Sequence, residues 1–190
     1  LDTSEVNWFT REQLHASAAD ASRPLWIAKA DALPDDWHIQ PDQLVWASGV
    51  HTWKKLARRG VWVNGCAESL GEQESPRIET LAGQAPDWLK LTHEDGYTDG
   101  AMPALATYRL VPKADIVDLR GKQYLFWRSG SAFEHALSQN PRITEMTHFC
   151  GPGNTQRMLE RHGIEPHIFL DHEQWLKEMV SEPGALATGS

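Results

Sequence analysis

Short apolar runs alternate with amphipathic stretches along most of the chain, and the joins between them are only a few residues long. Leu44-Val45-Trp46-Ala47 leads at once into a stretch in which Val50, Trp53, Leu56 and Ala57 share one helical face. Gly60 ends that stretch as a left-handed C-terminal cap, and Val61-Trp62-Val63 resumes the extended pattern. The second half repeats the alternation. Strand Tyr124–Trp127 precedes helix 132–139, strand Thr147–Phe149 precedes helix 155–162 closed by Gly163, and strand His167–Leu170 precedes a helix from His172 to Met179. Alternation with joins this short predicts an α/β fold of parallel sheets with helices on both faces.

The remaining segments fit the same scheme. Val6–Thr10, Leu25–Ala28 and Trp88–Thr92 read as strands, Arg11–Ala19 as a helix, with a short helix from Ala67, a loop over 94–103 and an extended segment from Ala106 to Pro112. Capping patterns mark three helix starts: Ser131 with Glu134, Asp171 with Gln174, and Asn154 before Thr155. The halves resemble each other, Leu44–Gly49 matching Leu125–Gly130 and Val63–Cys66 matching His148–Gly151. Two similar parallel-sheet, three-layer domains follow. Because extended segments at about 31–42 and 106–117 flank the middle unit, they read as two linkers, and the first domain as discontinuous. The expected division is 1–34 with 118–190, and an inserted domain 35–117 that includes the return linker.

Composition narrows the function. The 190 residues, 41% hydrophobic and 23% charged, suffice for a sizeable core, and the net charge of −8 argues against a broad nucleic-acid-binding face. No apolar run approaches the roughly 20 residues of a membrane span, and no signal-peptide pattern opens the chain, so a cytoplasmic protein without membrane contact is expected. The start at Leu1 rather than Met reads as a processed product or a piece of a longer polypeptide. Cys66 and Cys150, with no CxxC spacing, read as reduced buried thiols, and the nine Trp read mostly as packing. His148 and Cys150 alternate on one strand, and His162, His167 and His172 recur at intervals of five, but neither spacing matches a His-Glu-x-x-His helix or a zinc finger, so no metal is expected.

In open α/β sheets, ligands gather beyond the carboxyl ends of the strands, where helix N-termini expose unpaired N–H groups. That places Thr10-Arg11, Ser48-Gly49, Gly65-Cys66, Thr92-His93, Arg128-Ser129-Gly130-Ser131 and Gly151-Pro152-Gly153-Asn154-Thr155 at candidate sites. Ser131 and Asn154 would equally serve as helix caps with no ligand present. Lys54, Lys55, Arg58 and Arg59 form a basic run of the kind that usually faces solvent. No Gly-x-Ser-x-Gly elbow, P-loop or Gly-x-Gly-x-x-Gly fingerprint is present, which disfavours hydrolytic nucleophiles and a nucleotide-dependent oxidoreductase.

Taken in order, Trp8-Phe9-Thr10-Arg11, Val45–Gly49, Val63–Ala67, Thr107-Tyr108-Arg109, Ser129–Ser131 and Gly151–Thr155 resemble the uroporphyrinogen-III synthase family over nearly the whole chain. The pattern departs from the family in a short middle unit, in Cys66 where a hydroxyl residue is common, and in an extra residue within Gly151–Thr155. The resemblance implies two domains on paired linkers with a cleft between them. It also implies a cofactor- and metal-independent lyase (a cyclising hydro-lyase) of tetrapyrrole, porphyrin and heme biosynthesis. Such enzymes close hydroxymethylbilane, a linear tetrapyrrole carrying eight carboxylates, into uroporphyrinogen III, inverting the last ring with loss of water. Protonation at the hydroxymethyl group leaves an electrophilic azafulvene, attack through the substituted carbon of the terminal ring gives a spiro intermediate, and this fragments and recloses. Holding the chain ends close is much of the task.

Carried onto this sequence, the resemblance makes Tyr108 the residue assisting water loss, with a cleft-wall aromatic as its alternative role. Substrate contacts fall to Thr10, Arg11, Ser48, Gly49, Gly65, Cys66, Arg128, Ser129, Ser131, Gly151, Asn154 and Thr155. The implied partners are the tetrapyrrole substrate and, as candidate protein partner, the preceding enzyme of the pathway. The competing expectation is a non-catalytic tetrapyrrole-binding or accessory domain of a longer protein.

Overall fold

A computed structural model describes residues 5–17, 22–68, 77–96, 100, 102–115 and 117–181. It contains nine strands and five α-helices among those residues. The chain divides into two compact units, one formed by Leu1–Phe9 with Pro112–Ser190 and the other by Thr10–Val111.

The unit 10–111 is built on β1 (Phe9–Gln13), β2 (Leu25–Ile27), β3 (Val45–Ala47), α1 (Val50–Arg58), β4 (Gly65–Cys66), α2 (Glu79–Ala82), β5 (Leu89–His93) and β6 (Ala104–Pro112). Its sheet has the order β1-β6-β5-β2-β3-β4. The pairs from β6 to β4 are all parallel. At the other edge the Leu14 N–H donates to the Thr107 carbonyl and the Lys113 N–H to that of Trp8, the register of an antiparallel β1–β6 pair.

Strand alternation sorts the side chains. Leu25, Ile27, Val45, Ala47, Leu89 and Leu91 join Leu56 of α1 in one buried cluster. Trp26 stands in register with Trp46 and Lys90 on the opposite side of the pleat. The indoles of Trp26, Trp46 and Trp88 pack together at centroid distances of 6.1–6.5 Å. Gly65, opposite Trp46, has no room for a side chain, since an added Cβ would lie 2.4 Å from the indole ring.

The second unit carries β7 (Tyr124–Trp127), α3 (Gly130–Gln139), β8 (Thr147–Cys150), α4 (Asn154–Arg161), β9 (His167–Ile168) and α5 (His172–Ser181). Its sheet, β7-β8-β9, is parallel throughout. Phe133, Ala136, Ile143, Leu159 and Trp127 form its main core, and Phe149, Trp175 and Met179 a second one. The Cβ that Gly130 lacks would meet Met158 at 3.2 Å, so this glycine lets α3 approach α4.

The parallel α/β class is as expected, while several boundaries differ. Of the segment 1–34, the part from Thr10 onward does not belong with 118–190. Leu25–Ile27 pairs with β3 and β5, and the first crossing between units falls at Phe9/Thr10 instead of near residue 34. The cause is that the Pro- and Asp-rich stretch 31–42 is a connection inside one sheet, opening with a 3-10 turn at Ala30–Ala32. The expected helix from Arg11 is strand as far as Gln13, because β1 completes the sheet edge beside β6; its end at 18–19 lies outside the described residues. Most of the short helix expected from Ala67 falls in 69–76, also outside them.

On α1 the buried face is Thr52 and Leu56, whereas Val50 and Trp53 are exposed. Gly60 and Gly163 adopt the left-handed conformation read from sequence, with φ of +79° and +73°. The α3 cap is Ser129, whose side chain accepts from the Ala132 N–H, two residues earlier than the Ser131 pattern. Asn154 is the first residue of α4, and Gly153 takes the cap position. Asp171 caps α5 as read, accepting from the Gln174 N–H at 2.8 Å.

Candidate functional site

Candidate residues occur at the carboxyl edge of each sheet, and each unit has its own constellation. In the unit 10–111, β2 and β5 are neighbours although β3 and β4 intervene in sequence. The chain leaves β2 in one direction and returns on its other side, the switch point at which open α/β sheets leave a crevice. The segments that follow these two strands, Ala28–Asp31 and His93–Gly96, carry Lys29, Asp31, His93 and Asp95.

Tyr108 of β6 stands beside His93 of β5 in the strand register, their rings 5.8 Å apart. It is 2% exposed and part of the core. Arg11, on the antiparallel neighbour β1, is diagonal to Tyr108 in the register, and its charge acts on the phenol. The Arg11 Nε in turn lies 3.1 Å from the Asp31 carboxylate. One residue before Tyr108, the buried Thr107 hydroxyl donates to the Ala32 carbonyl at 2.6 Å, fastening the turn that bears Asp31. Burial pushes the Tyr108 phenol above its ordinary pKa, the Arg11 charge opposes that, and the Asp31 charge adds to it. Burial pulls the His93 imidazole down, with Asp95 opposing and Lys29 and Lys90 adding to the shift.

The other sequence-derived positions here are distributed along the edge. Thr10 lies on β1 with its hydroxyl donating to the Val111 carbonyl at 3.4 Å. The Ser48 hydroxyl donates to the Ala28 carbonyl at 2.7 Å, tying the end of β3 to that of β2, and Gly49 caps α1. Gly65 and Cys66 form β4, with Cys66 in register beside Ala47. The half-buried Cys66 thiol donates to Glu68 Oε1 at 3.2 Å, and burial raises its pKa.

In the second unit, three helices begin at the carboxyl edge of β7-β8-β9. Ser129 caps α3, and Gly130 and Ser131 open its first turn. Gly151, Asn154 and Thr155 occupy the join from β8 into α4, and Asp171 the join into α5. Arg128, just beyond β7, bridges to Glu5 at 2.6 Å and to the His172 Nδ1 at 2.9 Å. These helix starts present backbone N–H groups of the kind that bind carboxylates.

The structure therefore sets Arg11 diagonal to Tyr108, places Ser48-Gly49 just past the β3 residue that pairs with Cys66, and groups Arg128, Ser129 and Ser131 near Gly151, Asn154 and Thr155 at neighbouring strand ends. Sequence reasoning missed Asp31 and Glu5, and singled out His172 only as one of three evenly spaced histidines. Asp31 had no detectable signal, because it sits in a Pro/Asp-rich stretch that reads as a linker. His172 had one, as the first residue after a capping Asp.

The histidines that invite a metal reading have other partners. His148 is 2% exposed, accepts from the Trp127 Nε1–H at 2.8 Å and donates from Nε2 to the Ile143 carbonyl at 2.7 Å. His162 packs on Phe133, His167 on Phe149, and His172 on Phe126 and Trp175. Cys150 is buried, and its thiol is pushed up to about 12 by that burial. Among the described residues no three His, Cys, Asp or Glu side chains group to hold a metal ion, and no helix is long and apolar enough to cross a membrane.

No family model and no curated protein matches the chain by sequence. Solved structures do match. A uroporphyrinogen III synthase mutant from the extreme thermophile Thermus thermophilus aligns with a TM-score of 0.53 at 14% identity, covering 96% of this chain and 88% of that one. Uroporphyrinogen-III synthetase from Helicobacter pylori aligns with a TM-score of 0.58 at 15% identity, covering 92% and 90%. The chain has the fold of these proteins.

Proposed function

We propose that this protein is a uroporphyrinogen-III synthase, a lyase that cyclises hydroxymethylbilane with inversion of the terminal pyrrole ring and loss of water. The observation that carries the reading is the fold likeness, which extends over about nine-tenths of both chains in each comparison. The ordered motifs agree with it, and so does the chemistry of the strand ends. A flexible guest with many carboxylates suits helix N-termini, hydroxyls and arginines. On this reading Ser129, Ser131, Gly151, Asn154 and Thr155 contribute N–H and hydroxyl donors from one unit, with Arg128 beside them. Ser48, Gly49, Gly65, Cys66, Thr10 and Arg11 contribute from the other, and Tyr108 assists departure of the hydroxyl group.

The test is a product assay. Purified protein is incubated with freshly made hydroxymethylbilane, and the products are oxidised and separated by chromatography. Isomer III in excess over isomer I is expected. Isomer I alone, at the rate of uncatalysed closure, overturns the reading.

One observation favours a second reading, a tetrapyrrole-binding accessory domain without turnover: Tyr108 is 2% exposed and packed into the core cluster of its unit. Saturable binding of hydroxymethylbilane with no isomer III would select it.

A further inference from the structure

We infer that Asp31 is a positioning residue for Tyr108: its carboxylate holds the Arg11 guanidinium against the tyrosyl hydroxyl, so that a cation stays beside the oxygen that turns negative when the proton leaves. The inference rests on the reading of Tyr108 as the group that assists water loss.

Ionising a buried phenol is costly unless a positive group faces it. At 2% exposure Tyr108 has little water to do this, and Arg11, diagonal to it across β1 and β6, is the cation whose charge acts on the phenol. Arg11 is a long side chain, 47% exposed, and nothing in β1 itself prevents it from turning into solvent. Asp31 does, at 3.1 Å from Nε.

Asp31 in turn has a fixed origin. It is the middle residue of the 3-10 turn Ala30–Ala32, and both ends of that turn are pinned by side chains from other elements. The Ala30 carbonyl accepts from Arg59 of the α1 C-cap at 2.7 Å, and the Ala32 carbonyl accepts from Thr107 at 2.6 Å. Thr107 directly precedes Tyr108 in β6, so the carboxylate and the phenol are referenced to one strand. In the antiparallel register Arg11 is diagonal to Tyr108, close enough for a long side chain to span. The charged or titratable groups facing Tyr108 are Arg11 from β1, Asp31 from the turn after β2 and His93 from β5, with Lys29, Lys90 and Asp95 around His93.

In the dehydration step the tyrosyl proton moves to the hydroxymethyl oxygen, which departs as water with the electron pair of the broken C–O bond. The pyrrole nitrogen pair closes the exocyclic double bond, and the phenolate left behind faces Arg11.

The sign of one titration separates positioning from simple charge. Asp31 is negative, so removing it with Arg11 still in place lowers the Tyr108 pKa. If Asp31 holds Arg11, its removal releases the cation and raises that pKa instead. A fluorinated tyrosine placed at position 108 of the full chain is titrated by fluorine NMR, with circular dichroism confirming the fold of each variant. We expect Arg11→Gln to raise the midpoint by about one pH unit, a ~10-fold change in ionisation constant, Asp31→Asn to raise it by less because its own negative charge is lost along with the held cation, and Asp31→Glu to restore the parent value. Adding Asp31→Asn to Arg11→Gln should raise it no further. A fall, or no change, in Asp31→Asn overturns the inference. The isomer assay on the parent protein is read separately. Loss of the synthase reading leaves the titration order standing, and a reversed titration order leaves the synthase reading standing.

Discussion

His148→Leu replaces the most completely enclosed histidine of the second unit by a residue of similar bulk, so its cost falls on hydrogen bonding rather than on volume. Two partners lose their bonds: the Trp127 Nε1–H at 2.8 Å and the Ile143 carbonyl at 2.7 Å. Both residues are buried, Trp127 at 4% exposure and Ile143 at 0%, so water does not replace what is removed. An orphaned buried polar group costs about 1–3 kcal/mol, and two cost about 2–6 kcal/mol together. The loss also depends on pH. Burial pulls the His148 pKa below 6.5, mildly opposed by its bond to Ile143, so the folded state keeps the imidazole neutral where the unfolded chain would take up a proton. Its contribution is therefore complete above pH 6.5 and falls as pH drops through 6.5 towards the folded-state value, by at most ~1.4 kcal/mol per pH unit. Urea unfolding followed by tryptophan fluorescence, at about pH 7.5 and about pH 5.5, measures both effects. The variant should be less stable at both, with a smaller deficit at the lower pH. The variant retains a slope of the same sign from His93 and His172, whose pKa values burial also lowers. A deficit under about 0.5 kcal/mol, or one that does not shrink on acidification, would refute the argument that the fold holds a neutral, doubly bonded imidazole.

Two further substitutions probe the unit 10–111. Arg59→Ala removes donors to the Ala30 and Leu33 carbonyls at 2.7 and 2.9 Å and to the exposed Asp35 carboxylate; a loss of about 2 kcal/mol in urea unfolding is expected, against under ~0.5 kcal/mol for Lys54→Ala or Lys55→Ala. Gly65→Ala places a methyl group 2.4 Å from the Trp46 ring, so the indole must move, costing about 1–3 kcal/mol and altering near-ultraviolet circular dichroism from the three packed tryptophans.

The elements legible in the sequence are those whose pattern is set by their own residues. α3, α4 and α5 each follow an apolar strand, and Gly163 closes α4 in the left-handed conformation that its sequence position suggests. β1 was legible only at its start, within the strand read over Val6–Thr10; Arg11–Gln13 reads as helix and is extended by pairing with β6 about a hundred residues later. The first domain boundary failed for a related reason. Proline- and aspartate-rich composition marks an irregular connection, but it does not distinguish a link between domains from a crossover within one sheet, and 31–42 is the latter. Arg59 was read as part of a solvated basic run. It departs from Lys54 and Lys55 because, at the C-cap of α1, it faces the carbonyls of the 3-10 turn.

The candidate site shows the same division between local and distant information. Helix starts such as Ser129–Ser131 and Gly151–Thr155 are visible because the strand, the small residues and the cap are contiguous in sequence. The surroundings of Tyr108 are assembled from four separate places: Arg11, Asp31, His93 and Thr107–Tyr108 itself. Spacing cannot predict such a set; only the order β1-β6-β5-β2 makes β6 the neighbour of both β1 and β5 and puts the turn after β2 within reach. On the proposal that Asp31 positions Arg11 for Tyr108, a relative that kept this strand order would preserve the charge relation between positions 11 and 31, while the sequence around either one could drift. That makes the pair, and not the residues flanking Tyr108, the more informative place to look for retained chemistry at identities near 15%.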